Sequence, residues 1–236
     1  YSGGWLLLIG ALGLFIFIQL ETRVKCPILN INLFKSNVVF TLSNAAALIN
    51  YSATFAVGFL LSLYLQYIKG LGPRDAGIIL IAQPIVQVIL SPAAGRLSDR
   101  IEPRIVASTG MALTTAGLIL LTLLDENTPL MYITAGLILL GLGFAFFSSP
   151  NTNAVMSSVE KKYYGVASAT LGTMRLTGQM LSLGIAMLIF ALFIGRVEIT
   201  PKYYPLFLKS TQIAFGIFAV LCFAGIFASL ARGKVR

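Results

Sequence analysis

Seven long apolar stretches account for most of this chain, and its charged residues lie in the connections between them or at their ends, with Arg175 the single exception. Hydrocarbon cannot satisfy a charge or an open backbone N–H or C=O, so a chain that sorts its charges this way is built to cross a bilayer as helices. The stretches read 5–20, 38–66, 76–94, 105–124, 130–156, 165–194 and 207–231. Most exceed the roughly 20 residues that span about 30 Å of hydrocarbon, so tilted helices are expected. Charged residues make up 11% of the chain and apolar residues 57%, a balance unsuited to a water-facing surface. No alternation of period two recurs at strand length, which argues against a β-barrel. The expected fold class is an all-α integral membrane protein with seven spans.

The net charge of +9 is explained by topology. If the connection before the second span faces the cytoplasm, the inner segments hold Arg23, Lys25, Lys35, Arg96, Arg100, Arg104, Lys161, Lys162, Arg232, Lys234 and Arg236. The outer segments hold Lys69, Arg74, Arg196, Lys202 and Lys209. That excess follows the positive-inside rule and predicts a cytoplasmic carboxyl terminus in the cell membrane. The partner of the basic charge is then the lipid bilayer and not nucleic acid.

Several chemistries are disfavoured by what the spans lack. The chain has no histidine, which removes His-based metal sites, proton relays and triads. Its eight carboxylates sit in connections or at span ends, leaving no acidic membrane-embedded pair for proteolysis or metal binding. Cys26 and Cys222 fall too far apart in depth to bridge and read as unpaired thiols. Neither an enzyme nor a metal centre is expected. A retinal-type seven-helix protein would need a lysine midway along its last helix, whereas Lys209 stands at that helix's start.

The chain divides into a leading helix (1–20), a connection (21–37), a six-helix bundle (38–231) and a short cytoplasmic tail (232–236). The connection mixes Ile28, Leu29, Ile31, Leu33 and Phe34 with Lys and Asn, as suits an amphipathic segment on the membrane surface. Short connections make sequential helices antiparallel neighbours. Beginning at Tyr1 without an initiator Met, the chain reads as the carboxyl half of a longer protein.

Polar residues are spread unequally over the six bundle spans. The first carries Asn44, Tyr51 and Thr54 on one helical face, with Asn50 beside them. The second carries Gln83 and Gln87 one turn apart around Pro84, and the fourth Ser148, Ser149, Asn151, Thr152 and Asn153 around Pro150. The fifth aligns Gly172, Arg175, Gln179 and Ser182. The third and sixth hold little beyond Ser and Thr, with Gln212 near an end. A polar-polar-greasy order used twice is expected of a three-plus-three repeat around a central cavity. Interhelical hydrogen bonding is the competing explanation for any one of these amides.

Between the second and third bundle spans runs Gly95-Arg96-Leu97-Ser98-Asp99-Arg100-Ile101-Glu102-Pro103-Arg104. Asp99 is placed to accept from the free N–H groups of the following helix, and Arg100 and Arg104 to pair with it or with helix-end carbonyls. Such a loop can latch two helices and release them. It resembles the G-x-x-x-D-R-x-G-R signature between the second and third helices of each half of the major facilitator superfamily. Tyr64-Leu65-Gln66-Tyr67, Gly70-Leu71-Gly72-Pro73, Pro150 to Met156, and Gly165-Val166-Ala167-Ser168 with Arg175 and Gly178 are similar to that superfamily's fourteen-span drug:proton antiporter branch. Glu102 departs from the pattern, standing where the family has glycine, and either strain or a changed turn is expected there.

The resemblance implies alternating access around a midplane site, with a missing amino-terminal half as partner, a small amphiphilic substrate, and a proton gradient in place of any cofactor. Asn44, Asn50, Tyr51, Thr54, Gln83, Gln87, Ser149, Asn151, Arg175 and Gln179 are the expected cavity lining. Gly95, Asp99, Arg100 and Arg104 are the expected latch. A mid-span arginine costs roughly 2.5–3.5 kcal/mol on translocon scales and calls for a partner: a carbonyl, Asn151, the substrate, or an acid of the other half. No acid sits at that depth here, so the proton-binding carboxylate is expected in the other half. A metabolite, peptide or siderophore transporter of the same superfamily stays open.

Overall fold

Apolar runs bounded by Gly, Pro and charged clusters become helices in the computed structural model, which describes residues 36–195 and 200–233 together with residues 10, 12, 13, 16, 19 and 34. The expected leading helix and most of the amphipathic connection lie outside the described residues, as does Cys26. The described chain is helical without strands: α1 (Val38–Leu63), α2 (Pro73–Leu80), α3 (Ala82–Arg100), α4 (Pro103–Thr122), α5 (Leu130–Ser157), α6 (Tyr164–Phe193) and α7 (Tyr204–Ala231). Among the described residues six helical segments are long and apolar enough to cross a membrane, with α2 and α3 forming one of them. This is a multi-pass membrane fold.

Local chemistry sets the ends and the break. Asn37 caps α1, its Oδ1 accepting from Phe40 N at 2.9 Å, while its Nδ2 donates to Ser158 O at 2.6 Å and pins the helix entry to the far end of α5. Pro73 opens α2 and Pro103 opens α4, where a missing N–H costs nothing. The α2–α3 span breaks at Ile81, four residues after Gly77, because Pro84 has no N–H to give Leu80 and its ring crowds that carbonyl. The ladder resumes with Ile85 N donating to Ile81 O at 3.1 Å.

Without a hydrophobic drive between helices in lipid, close backbone packing does much of the assembly, and small residues permit it. Helices α4 and α5 meet along Gly110 and Gly117 on one side and Gly136 and Gly143 on the other. A Cβ on Gly110 would lie 2.5 Å from Phe147 N and 2.7 Å from Gly143 O. Helix α5 also meets α3, where a Cβ on Gly141 would lie 2.6 Å from Gln83 O. Helix α6 meets α1 at Gly178, whose Cβ would lie 2.7 Å from Leu48 O.

The packing order is an arc: α3 on α5, α5 on α4, α4 on α7, α7 on α1, α1 on α6. Helices α3 and α6 form its two open ends, and α1 touches α5 across the middle. The two greasy spans, α4 and α7, pair at the back. The span containing α3 is the least covered of the six, with 6% of its apolar window buried against the rest, and that containing α6 follows at 22%.

Candidate functional site

Between the open ends of the arc lies a cavity of about 360 Å³ lined by Tyr51, Thr54, Phe55 and Gly58 of α1, Gln83 and Gln87 of α3, Phe144 of α5, and Arg175 and Gln179 of α6. Helices α4 and α7 contribute nothing to its wall. The break at Ile81 and the close approach of Gly141 to Gln83 O set the first turns of α3 against α5, which positions Gln83 and Gln87, one turn apart, on the cavity wall. Opposite them, Gly178 seats α6 directly on the α1 backbone. Arg175, one turn earlier on α6, is thereby carried to Tyr51, with its guanidinium carbon 5.1 Å from the ring centroid. A cation over an aromatic face gains from about 0.5–1 kcal/mol in exposed surroundings to about 2 kcal/mol when desolvated.

Tyr51 is itself held. Its ring meets Phe144 edge-to-face at 5.3 Å and 79°, and only 6% of the residue is exposed. Ser182, one turn beyond Gly178, accepts from Ala56 N at 2.9 Å and ties α6 to α1. Arg175 Nε is buried and makes no hydrogen bond to any described residue. The cavity therefore offers a guanidinium, three carboxamides, a hydroxyl and a phenol among two phenylalanines, with no carboxylate among the described residues of its wall.

Six of the ten residues expected to line a cavity meet at this one: Tyr51, Thr54, Gln83, Gln87, Arg175 and Gln179. The other four are placed elsewhere. Asn44 is buried and donates to Phe40 O of its own helix at 2.9 Å. Asn50 is buried toward α7, where its Oδ1 lies 3.9 Å from Cys222 Sγ. Ser149 faces the end of α3, close enough that a Cβ on Gly95 would lie 3.0 Å from its Oγ. Asn151 is buried, its Nδ2 donating to Ser43 O at 3.1 Å. The reason is that α1 is wrapped by α5, α6 and α7, so polar side chains a residue apart, such as Asn50 and Tyr51, point about 100° apart into different neighbours.

Nor does Asn151 partner Arg175. It accepts from a different arginine, Arg232, whose Nη1 reaches Asn151 Oδ1 at 2.8 Å and Ser43 Oγ at 3.2 Å, and whose Nη2 donates to Pro103 O at 2.9 Å. Arg232, read from sequence as the first residue of a solvated tail, is 1% exposed. Burial, and then the charge of Arg104, lower its pKa below the usual arginine range to about 10, with Glu102 acting in the opposite direction. It stays cationic at neutral pH and fastens the end of α7 to α1, α5 and the start of α4. The signal available in sequence was an arginine directly abutting a 28-residue apolar helix.

At the loop, Asp99 lies in the last turn of α3 and its Oδ1 accepts from Asn153 Nδ2 at 3.2 Å, as does Ser98 Oγ at the same distance. Ser98 Oγ in turn donates to Gly95 O at 2.8 Å. The segment thus ties α3 to α5, while the N-cap position of α4 is held by Glu102, whose side chain makes no capping bond. Glu102 has φ −48° and ψ 121°, a negative φ outside the left-handed region that favours glycine, so the turn does not require glycine there. Arg100 is exposed and Arg104 half-buried.

Residues 44–235 match the model of the Major Facilitator Superfamily. The riboflavin transporter RibZ of Clostridioides difficile is 28% identical over 228 residues, covering 95% of this chain and 50% of RibZ. The uncharacterized transporter YebQ of Escherichia coli is 31% identical over 163 residues, 69% of this chain and 35% of YebQ. The methyl viologen resistance protein SmvA of Salmonella typhimurium is 28% identical over 210 residues, 88% of this chain and 41% of SmvA. The chain spans half or less of the length of each. A helical membrane bundle of this order, with a polar cavity at its open side and a matching family model over most of its length, belongs to the major facilitator superfamily of transporters.

Proposed function

We propose that this chain is the carboxyl half of a secondary active transporter of the fourteen-span drug:proton antiporter branch, exporting a small amphiphilic molecule by alternating access. The observation that carries the reading is the polar cavity between α3 and α6, walled by four of the six spans. A midplane polar site between bundles that rock against one another is how such transporters bind cargo. The least covered spans are those containing α3 and α6, which suits them to face an amino-terminal half across the cavity. Relatives named for riboflavin transport, multidrug resistance and methyl viologen resistance support a small organic substrate. A metabolite as substrate is the second reading, favoured by the match to the riboflavin transporter along 95% of this chain.

In this mechanism proton entry drives export, and the proton-binding carboxylate belongs to the amino half, because every acid of this chain lies at a span end or in a connection. Arg175 tunes that acid or the cavity potential. Gly95, Asp99, Arg100 and Arg104 act at the cytoplasmic end, where the Asp99–Asn153 contact holds α3 on α5 in one state and opens in the other. The carboxyl terminus faces the cytoplasm. Cysteine labelling in the full-length protein in cells tests the cavity: Gln83→Cys and Gln179→Cys should react with a water-soluble maleimide, while Phe218→Cys, in dry packing, should not. Export in Arg175→Ala tests the mechanism, and unchanged proton-coupled export would remove Arg175 from it.

A further inference from the structure

Arg232 lies outside the cavity, and the mechanism above does not use it. It is closed in by residues of this chain, with Nη1 on Asn151 of α5 and Ser43 of α1, and Nη2 on the carbonyl of Pro103, the first residue of α4. Asn151 also donates to Ser43 O at 3.1 Å, and the buried Ser108 Oγ donates to Ser229 Oγ at 2.8 Å, one turn before Arg232. A guanidinium is a planar fork of donors, so one side chain can fasten three helices to the end of a fourth.

Two of the points it fastens flank the latch. Asn151 follows Pro150, whose missing N–H removes one rung of the α5 ladder, so residues 151–157 form an inner arm beyond a ready-made hinge. Asn153, on the same arm, donates to Ser98 and Asp99 of α3, each at 3.2 Å. Residues two apart on a helix point about 200° apart, so the grip of Arg232 and the contact with α3 lie on opposite sides of the arm. Pro103, the other point held, is joined to α3 through Ile101 and Glu102 alone, with ψ of 150° and 121°. The Arg232 grip is buried, whereas the Asp99 contact is exposed to water that competes for the same groups.

Resting on the reading of Gly95 to Arg104 as the latch of a transporter, we propose that Arg232 is a positioning residue of the transport cycle. It fixes both the α5 arm that carries Asn153 and the Pro103 end of the loop. The Asp99–Asn153 contact therefore opens by a pivot of α3 about Pro103, while the arm stays seated on α1, α4 and α7. The span containing α3 is suited to move, being the least covered of the six. Without Arg232 the arm hinges at Pro150. Seven residues of helix are about 10 Å long, so a kink of about 20° displaces the end of the arm by about 4 Å.

Distances between nitroxide spin labels on the full-length protein, in a background without other reactive cysteines, test this. Ile105→Cys with Ser157→Cys spans α4 to the arm, and Ala93→Cys with Ser157→Cys spans α3 to the arm, all three positions being exposed. Asp99→Ala should add a second population to the Ala93–Ser157 pair and leave the Ile105–Ser157 pair single. Arg232→Ala should spread the Ile105–Ser157 pair by about 4 Å, and Arg232→Lys, which keeps the charge without the fork, should spread it too. Gly178→Ala, which loosens α6 on α1, should not. An Ile105–Ser157 distribution unchanged in both Arg232 variants would overturn the proposal and leave Arg232 a stabilising contact only. So would a distribution that widens with Asp99→Ala or Gly178→Ala. Maleimide labelling of Gln83→Cys and Gln179→Cys separates the two readings. Reaction at both with an unmoved arm removes the role of Arg232 and leaves the transport cavity standing. If neither reacts, the transport reading falls and the role in its cycle with it, whatever the arm does.

Discussion

Gly178→Ala should destabilise the bundle and weaken the Arg175–Tyr51 contact, although alanine is the better helix former. The added Cβ would stand 2.7 Å from Leu48 O, 2.9 Å from Tyr51 Cβ and 3.1 Å from Ser52 N. Two of these atoms are backbone and the third is fixed to it, so none can rotate away. Restoring ordinary contact at 3.4 Å requires α6 and α1 to separate by about 0.7 Å, the difference between 2.7 and 3.4 Å. That shift would stretch the Ser182 Oγ–Ala56 N bond from 2.9 Å to a length at which it no longer counts as one. Overpacking of this kind costs about 1–3 kcal/mol, against roughly 0.5–1 kcal/mol gained by replacing glycine within a helix. Gly184 is the control, six residues along the same helix with nothing within 4 Å of its would-be Cβ. In detergent, thermal unfolding midpoints should fall for Gly178→Ala and hold or rise for Gly184→Ala. Equal midpoints for the two would refute the reading that backbone contact at Gly178 sets α6 on α1.

Two other perturbations follow from the same structure. Truncating Asn151 to Ala strips the buried Arg232 guanidinium of its 2.8 Å partner, and a hydrogen bond to a charged group contributes about 1.5–3 kcal/mol. A double-mutant cycle of Asn151→Ala with Arg232→Ala should show coupling above about 1 kcal/mol in unfolding, with Gln83→Cys labelling unaffected, and strict additivity would dissolve the pair. At the back of the bundle, Gly143→Ala would press a Cβ onto Thr114 and onto Gly110 O at 2.8 Å, so it should lower the unfolding midpoint while Gly58→Ala, in open space, should not.

The apolar spans, their helical state and their number in the bundle were legible in the sequence, because a bilayer tolerates no other backbone solution over such lengths. Which spans carry the cavity was legible too: the polar ones wall it and the greasy pair, α4 and α7, packs behind. What could not be read was which amide serves which purpose. Asn44 and Tyr51 share a helical face, yet seven residues separate them by about 10 Å along the axis, and only Tyr51 reaches the depth of the cavity. Gly172 and Gly178 look alike on α6, but one has nothing within 4 Å and the other touches the α1 backbone. Arg232 resembled a tail charge until the ends of α1, α4, α5 and α7 closed around it. Periodicity assigns a residue to a face. The neighbour that covers the face is chosen by helix azimuth and depth, and these arise from contacts between residues more than a hundred positions apart, such as Gly178 with Leu48, which no local pattern encodes.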